Sequence, residues 1–382
     1  MNNFNQQISR RNTSSAKWDL IDDDVLPFSI ADNDYATSEA IVKALVERAK
    51  HPIYGYTFPD DDYFKSTINW TKRRYGYDIV KDNIIAATGV VISLFHAIKF
   101  LNKDIDGVIV QTPVYNPFYM VIRDNNLNII ENPLIRINNH YEIDFALLAS
   151  QIDRKKILLL CNPQNPTGRV HTYEELKRIV ELAKKHNVFI LSDEVHCDIM
   201  LDDSKFTSLN MFTHIYNKII VFNSVSKSFG LAGLKTSNII IRDLKIASEF
   251  REYLQGQHFS CGNLFGLTAL KAAYNESEAW LESQNKYLAN NYAIIKEYFN
   301  KNYPAVGVTD QSATYLAWLD FSFLKMPCAK MQDELLKLGV MVNDGKRYGE
   351  NCNGFIRLNF ACPEVQLRQG LKIIGTFIDK HK

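Results

Sequence analysis

Three short apolar runs, each closed by a polar cluster, constrain this chain more than any other feature. KKILLL (155 to 160) runs into CNPQNPTG, VFIL (188 to 191) into SDEVH, and KIIVF (218 to 222) into NSVSK. After the first of them, Thr172 and Glu175 form a capping box ahead of YEELKRIVELAKKH, whose Leu176, Ile179, Val180 and Ala183 share one helical face. A strand too apolar to alternate must be covered on both faces, and amphipathic helices between such strands supply the cover. The pattern predicts βαβ units in a mostly parallel sheet, an α/β fold, with GVIVQTPVY (107 to 115) and TSNIII (236 to 241) as further strands. In open sheets of this kind ligands sit outside the carboxyl ends of the strands. The polar clusters fall there.

At 382 residues the chain exceeds one ordinary core, and no Pro/Gly/Ser-rich linker divides it. From about residue 277 the pattern turns to long helical stretches and then to TYLAWLDF and GFIRLNFACP, which predicts a second, smaller α+β domain packed on the first. Its 44 basic and 43 acidic residues give a net charge of +1, with no electrostatic footprint for nucleic acid or an anionic membrane. Six cysteines without CxxC spacing read as reduced thiols, and no metal site is expected. The polar amino terminus and the absence of a long apolar run predict a soluble, cytoplasmic protein acting on small molecules.

A lysine just past a buried strand, Lys227 in NSVSK, is costly unless its charge is paired or its proton affinity falls. A desolvated lysine is also a good Schiff-base nucleophile. Ser224 and Ser226, with Lys235, supply hydroxyls and a cation suited to a phosphate. An aldehyde cofactor carrying a phosphate meets these demands, and pyridoxal phosphate sets others. Its ring nitrogen needs a carboxylate, and Asp193 ends VFILSD. Its phenolic oxygen wants an amide donor, for which Asn165 is placed, and its ring a covering aromatic, for which Tyr115 is placed. A helix start at Gly89, Val90 and Val91 offers N–H groups to the phosphate. Plainer readings compete: a loop lysine, a capping serine, core tyrosines, a surface arginine, or a metal cluster at Asp193, Glu194, His196, Cys197 and Asp198, which strand alternation disfavours.

Ten blocks in order, KWD (17 to 19), LPFSIADNDY (26 to 35), YGYT (54 to 57), TGVV (88 to 91), TPVYNPF (112 to 118), NPQNPTG (162 to 168), SDEVHCDI (192 to 199), SVSKSFGLAGLK (224 to 235), TYLAWLDF (314 to 321) and GFIRLNFACP (354 to 363), resemble the fold-type I pyridoxal phosphate enzymes. Within them the chain is most similar to the cystathionine β-lyase branch of the class I/II aminotransferases. The resemblance implies a large domain (46–276) with a seven-stranded type of sheet, a small domain (277–382), and an N-terminal segment (1–45) packing with the latter. It makes Lys227 the Schiff-base lysine, Asp193 the ring-nitrogen partner, Asn165 the phenolic-oxygen donor and Tyr115 the stacking ring. Arg357 and the Ala31 amide would hold the substrate carboxylate. Tyr56 would reach the cofactor phosphate of a neighbouring subunit, which implies a homodimer. His196 stands near the phenolic oxygen where classical aminotransferases place tyrosine, which favours a lyase. Lys235 replaces a common arginine, Tyr348 an expected phenylalanine, and SATY (312 to 315) lacks a glycine often found there. The expected activity is carbon–sulfur β-elimination releasing a thiol, pyruvate and ammonia, with transamination as the alternative. A non-catalytic regulator of this fold would need an added DNA-binding domain, for which about 25 residues before LPFSIAD are too few.

Overall fold

The structure, a computed structural model, describes residues 3–382. Seven strands form the central sheet: β1 (Ile84–Ala87), β2 (Gly107–Val110), β3 (Asn128–Glu131), β4 (Lys156–Cys161), β5 (Phe189–Asp193), β6 (Ile219–Asn223) and β7 (Ser237–Ile240). Their spatial order is β1-β7-β6-β5-β4-β2-β3. Strands β2 to β6 pair in parallel, whereas β7 runs antiparallel to both of its neighbours. The sheet is therefore mostly parallel, as its apolar runs predict, and TSNIII supplies the one reversed strand.

Alternate side chains of these strands enter two separate cores. Leu158, Leu160, Ile190 and Val221 belong to one, and Ile157, Leu159, Leu191 and Phe222 to the other. Both faces are apolar because both are covered, so no polar residue interrupts the runs. Each of these buried side chains contributes about 1.5–3 kcal/mol. The helix Tyr173–His186 starts at the predicted capping box: Glu175 N–H donates to Thr172 Oγ1 at 3.2 Å, and Thr172 N–H to the Glu175 carboxylate at 2.8 Å.

One strand is shorter than its sequence suggests. β2 ends at Val110, and the chain leaves the sheet through Gln111–Val114, so Tyr115 stands ahead of the helix Pro117–Arg123 rather than on a strand. Pro113 has no N–H for a ladder, and Val114 N–H donates instead to Tyr348 O at 2.8 Å.

A second, antiparallel sheet consists of β8 (Gly307–Val308), β9 (Leu316–Asp320), β10 (Asn343–Asp344) and β11 (Phe355–Asn359), in the order β8-β9-β11-β10. Trp318 stacks on Phe355 across it with ring centroids 5.0 Å apart. Residues 26–28 lie along this unit: Leu26–Pro27 pair in parallel with Val340–Met341, and Asn359 N–H donates to Phe28 O at 2.8 Å. Gly370 gives Phe28 its space, since a Cβ there would stand 2.5 Å from the ring. This anchoring leads residues 29–34 past the carboxyl ends of the large sheet.

Candidate active site

A cavity of about 620 Å³ opens at the carboxyl ends of β1, β4, β5 and β6. Lys227 enters it from the short helix Val225–Ser228, which begins where β6 ends. Its Nζ donates to the backbone carbonyl of Ala31 at 2.6 Å. Burial is the main reason its proton affinity falls to about 8, with Arg357 and Lys17 adding to the effect and Asp32 and Asp193 opposing it. The amine therefore gives up its proton much closer to neutral pH than an ordinary lysine does.

Asp193, the last residue of β5, lines the same cavity and is buried. Burial raises its carboxyl to about 7, against the Val195 N–H bond and the charge of Lys227. A carboxylate so placed is suited to a protonated nitrogen opposite it. Its sequence neighbours turn elsewhere. Glu194 accepts from Ser208 Oγ at 2.7 Å and Leu209 N–H at 2.9 Å, and Asp198 accepts from Ser228 Oγ at 2.8 Å. The acidic run is thereby divided among separate contacts, and only Asp193 and His196 of its titratable groups face the cavity. His196 is buried and held well below the usual imidazole range by burial and by the charges of Lys227 and Arg357. Its neutral ring packs edge-on to Tyr315, and its Nδ1 has no hydrogen-bond partner among the described residues.

Asn165, Tyr115 and Ala31 also line the cavity. Arg357, buried on β11, lies behind Asn165, donating to Asn165 Oδ1 at 3.1 Å and to Ser29 O at 2.7 Å. Its guanidinium covers the Tyr348 ring at 5.1 Å, and its Nε is unpartnered among the described residues. At the opposite end, Gly89 and the start of the helix Val90–Leu101 meet Ser224, Ser226 and Lys235. The first turn of that helix presents N–H groups without intrahelical acceptors.

Ser224 also caps the helix: it accepts from Ser226 N–H at 3.0 Å and donates to Thr236 O at 2.6 Å while lining the cavity. Thr236, not singled out from the sequence, lines the cavity with a buried hydroxyl that has no partner among the described residues. Tyr56 is fully exposed and is not part of the cavity wall in this chain. Sequence reasoning also missed Tyr315, whose hydroxyl donates to Ala31 O at 3.2 Å. The Thr-Tyr pair in SATY was its one visible signal.

The family model for aminotransferase class I and II matches residues 23–374. This chain belongs to that family. Among its relatives is cystathionine beta-lyase PatB of Bacillus subtilis, 36% identical with 97% of this chain and 98% of that protein aligned. Among solved structures, cystalysin of Treponema denticola, which contains pyridoxal 5'-phosphate, superposes with a TM-score of 0.96 at 32% identity over the whole of both chains. The PLP-bound C-S lyase of Staphylococcus hominis superposes with a TM-score of 0.91 at 30% identity, covering 98% of this chain and 97% of that one. The fold is that of the fold-type I pyridoxal phosphate enzymes.

Proposed function

We propose that this chain is a pyridoxal phosphate-dependent carbon–sulfur β-lyase that releases a thiol, pyruvate and ammonia from cystathionine or a related cysteine S-conjugate. The observation that carries the proposal is one cavity holding an amine with lowered proton affinity, a buried carboxylate without a fixed cation, and an amide, all on strand ends of a fold shared along its whole length with C–S lyases. The residues lining the cavity also include His196, whose buried Nδ1 has no hydrogen-bond partner among the described residues, as expected of a wall that a polar ligand completes.

Pyridoxal phosphate, when bound, supplies an aldehyde for the substrate amino group and a ring that stores the electrons released at Cα. Lys227 is placed to bond that aldehyde and, once displaced by substrate, to take the Cα proton at Nζ. Asp193 would keep a proton on the ring nitrogen, Asn165 and His196 would serve the phenolic oxygen, and Tyr115 would hold the ring. Val90 and Val91 N–H, Ser226, Thr236 and Lys235 form the phosphate end. Arg357, with the free N–H of Ala31, binds the substrate carboxylate, exchanging its bond to Ser29 O for a charge-assisted pair.

Tyr56 lies in an exposed apolar stretch with Ile53, Tyr54 and Phe58. A second copy of the chain would cover this stretch and bring Tyr56 to the partner's phosphate end, making the enzyme a homodimer. Sedimentation of the purified chain as a monomer at micromolar concentration would contradict this. Division at about residue 277 into a large and a small domain accords with the two separate sheets, whereas the N-terminal segment is split: residues 26–28 lie along the small unit, and the helix Glu39–Lys50 packs against the helix Leu264–Glu276 of the large one.

The reaction is tested with purified protein, cystathionine and no 2-oxo acid. Pyruvate formed over many turnovers is the expected result. Conversion of the cofactor to its amine form with a stall after one turnover would select an aminotransferase instead.

A further inference from the structure

Five consecutive backbone carbonyls, from Ser29 to Asn33, each accept from a side chain. Arg357 holds Ser29 O at 2.7 Å, and Asn359 holds Ile30 O at 2.6 Å. Lys227 and Tyr315 share Ala31 O at 2.6 and 3.2 Å. Lys17 and Asn359 share Asp32 O at 3.0 and 2.8 Å, and Arg10 holds Asn33 O at 3.0 Å. Four of these donors are cationic, and two carboxylates stand among them. Asp32 accepts both arms of the Arg10 fork at 3.0 and 2.9 Å and stands 3.6 Å from Lys17 Nζ. Asp34 accepts from Arg10 at 2.9 Å, Lys17 at 2.8 Å and Trp18 Nε1 at 2.8 Å. The side chain of Lys17 is fully buried, a placement tolerated only where its charge is paired.

A backbone segment so fully held cannot move its carbonyls independently. We infer that Arg10, Lys17 and Asp32 are positioning residues for the reaction: by holding the backbone on both sides of it, they fix the Ala31 carbonyl as the resting place of the Lys227 amine when that amine is not bonded to cofactor. The task assigned to Lys227 rests on the lyase reading above. The charges facing it come from all sides: Asp32 and Lys17 on the N-terminal segment, Asp193 at the end of β5 and Arg357 on β11, with the neutral His196 ring nearby. After burial, Asp32 acts most strongly on Lys227, and it does so in the opposite direction. Asp32 itself stays below the usual carboxylate range, because the Arg10 bond and the charges of Lys17, Arg10 and Lys227 outweigh its burial.

Competitive acetylation of the full chain at graded pH, followed by peptide mapping, reads the protonation midpoint of Lys227 without any turnover. It is run on protein stripped of cofactor, beside the pH profile of kcat for the holoenzyme. Asp32→Asn is expected to lower the labelling midpoint by about half to one pH unit, and to move the acidic limb of kcat the same way. Asp32→Glu is expected to restore the midpoint. Asp34→Asn also breaks bonds to Arg10 and Lys17 but leaves the Asp32 carboxylate in place, so it should lower Tm and move the midpoint less than Asp32→Asn does. An unchanged midpoint in Asp32→Asn, or an equal shift in Asp34→Asn, would overturn the inference. Borohydride labelling of the wild-type holoenzyme reports separately on the cofactor reading, so the two can fail independently.

Discussion

The two sides of the cavity around Lys227 are assembled differently. On one side Asn165, Asp193 and Ser224 follow the ends of β4, β5 and β6, three adjacent strands, so parallel pairing alone brings them together. On the other side Ala31, Tyr315 and Arg357 come from the N-terminal segment and the second sheet, and the bond from Arg357 to Ser29 O spans 328 positions. The first side depends on one sheet. The second exists only if residues 26–34 thread between two sheets, and the ion cluster at Arg10, Lys17, Asp32 and Asp34 holds them there. The proposed cofactor side is thus a property of local topology, and the proposed substrate side a property of docking.

Substitutions on the two sides should differ in what they change. Lys227→Ala removes the nucleophile and base common to both sides, and turnover should fall by at least about 10³-fold with substrate saturating; a multi-turnover pyruvate assay measures it. Arg357→Gln lies on the docking side. It should raise KM for the amino acid substrate by about 10²-fold, with a smaller change in kcat, because an uncharged amide cannot replace a bidentate charged fork. An equal loss in kcat alone would place Arg357 with the chemistry rather than with binding.

Asp193→Asn tests the cofactor side through stability. The unfolded carboxyl loses its proton in the ordinary range, whereas burial holds the folded one to about 7. The cofactor-free folded state therefore binds the proton more tightly, and its stability falls as pH rises from about 4 to 7. Asparagine removes that penalty. Without cofactor, Asp193→Asn should be more stable than wild type at pH 8, by on the order of 3 kcal/mol, with the gap closing toward pH 4. Thermal unfolding at both pH values checks the sign. Tyr315→Phe should have the smallest effect. It deletes one of two bonds to Ala31 O, worth about 0.5–1.5 kcal/mol, and should reduce kcat by less than about tenfold.

The same contrast explains what was legible in the sequence. That Asp193, Asn165 and Lys227 come together in one cavity could be read because apolar runs of fixed length mark where buried strands end, and the residues just beyond them meet at one edge of the sheet. Five strands of the sheet followed from the same runs, but β1 and β3 did not, and the count of seven came by resemblance; nor can apolarity encode the direction of β7. Arg357, Ala31 and Tyr56 came only by resemblance. Nothing near Arg357 in GFIRLNF distinguishes a buried carboxylate clamp from an arginine on a sheet surface. Ser224 was ambiguous because a hydroxyl after a strand serves equally well as a helix cap, and here it caps the helix as well as lining the cavity. The pairing of Lys17 with Asp34 was invisible, since buried ion pairs between distant segments leave no periodic trace.

The central claim is that the amine held against Ala31 O in this structure is the group that bonds the cofactor aldehyde. Borohydride reduction of the yellow holoenzyme, followed by peptide mass mapping, tests it directly. A single pyridoxyl adduct on Lys227 is the predicted result, and an adduct on any other residue, or none, would contradict the account.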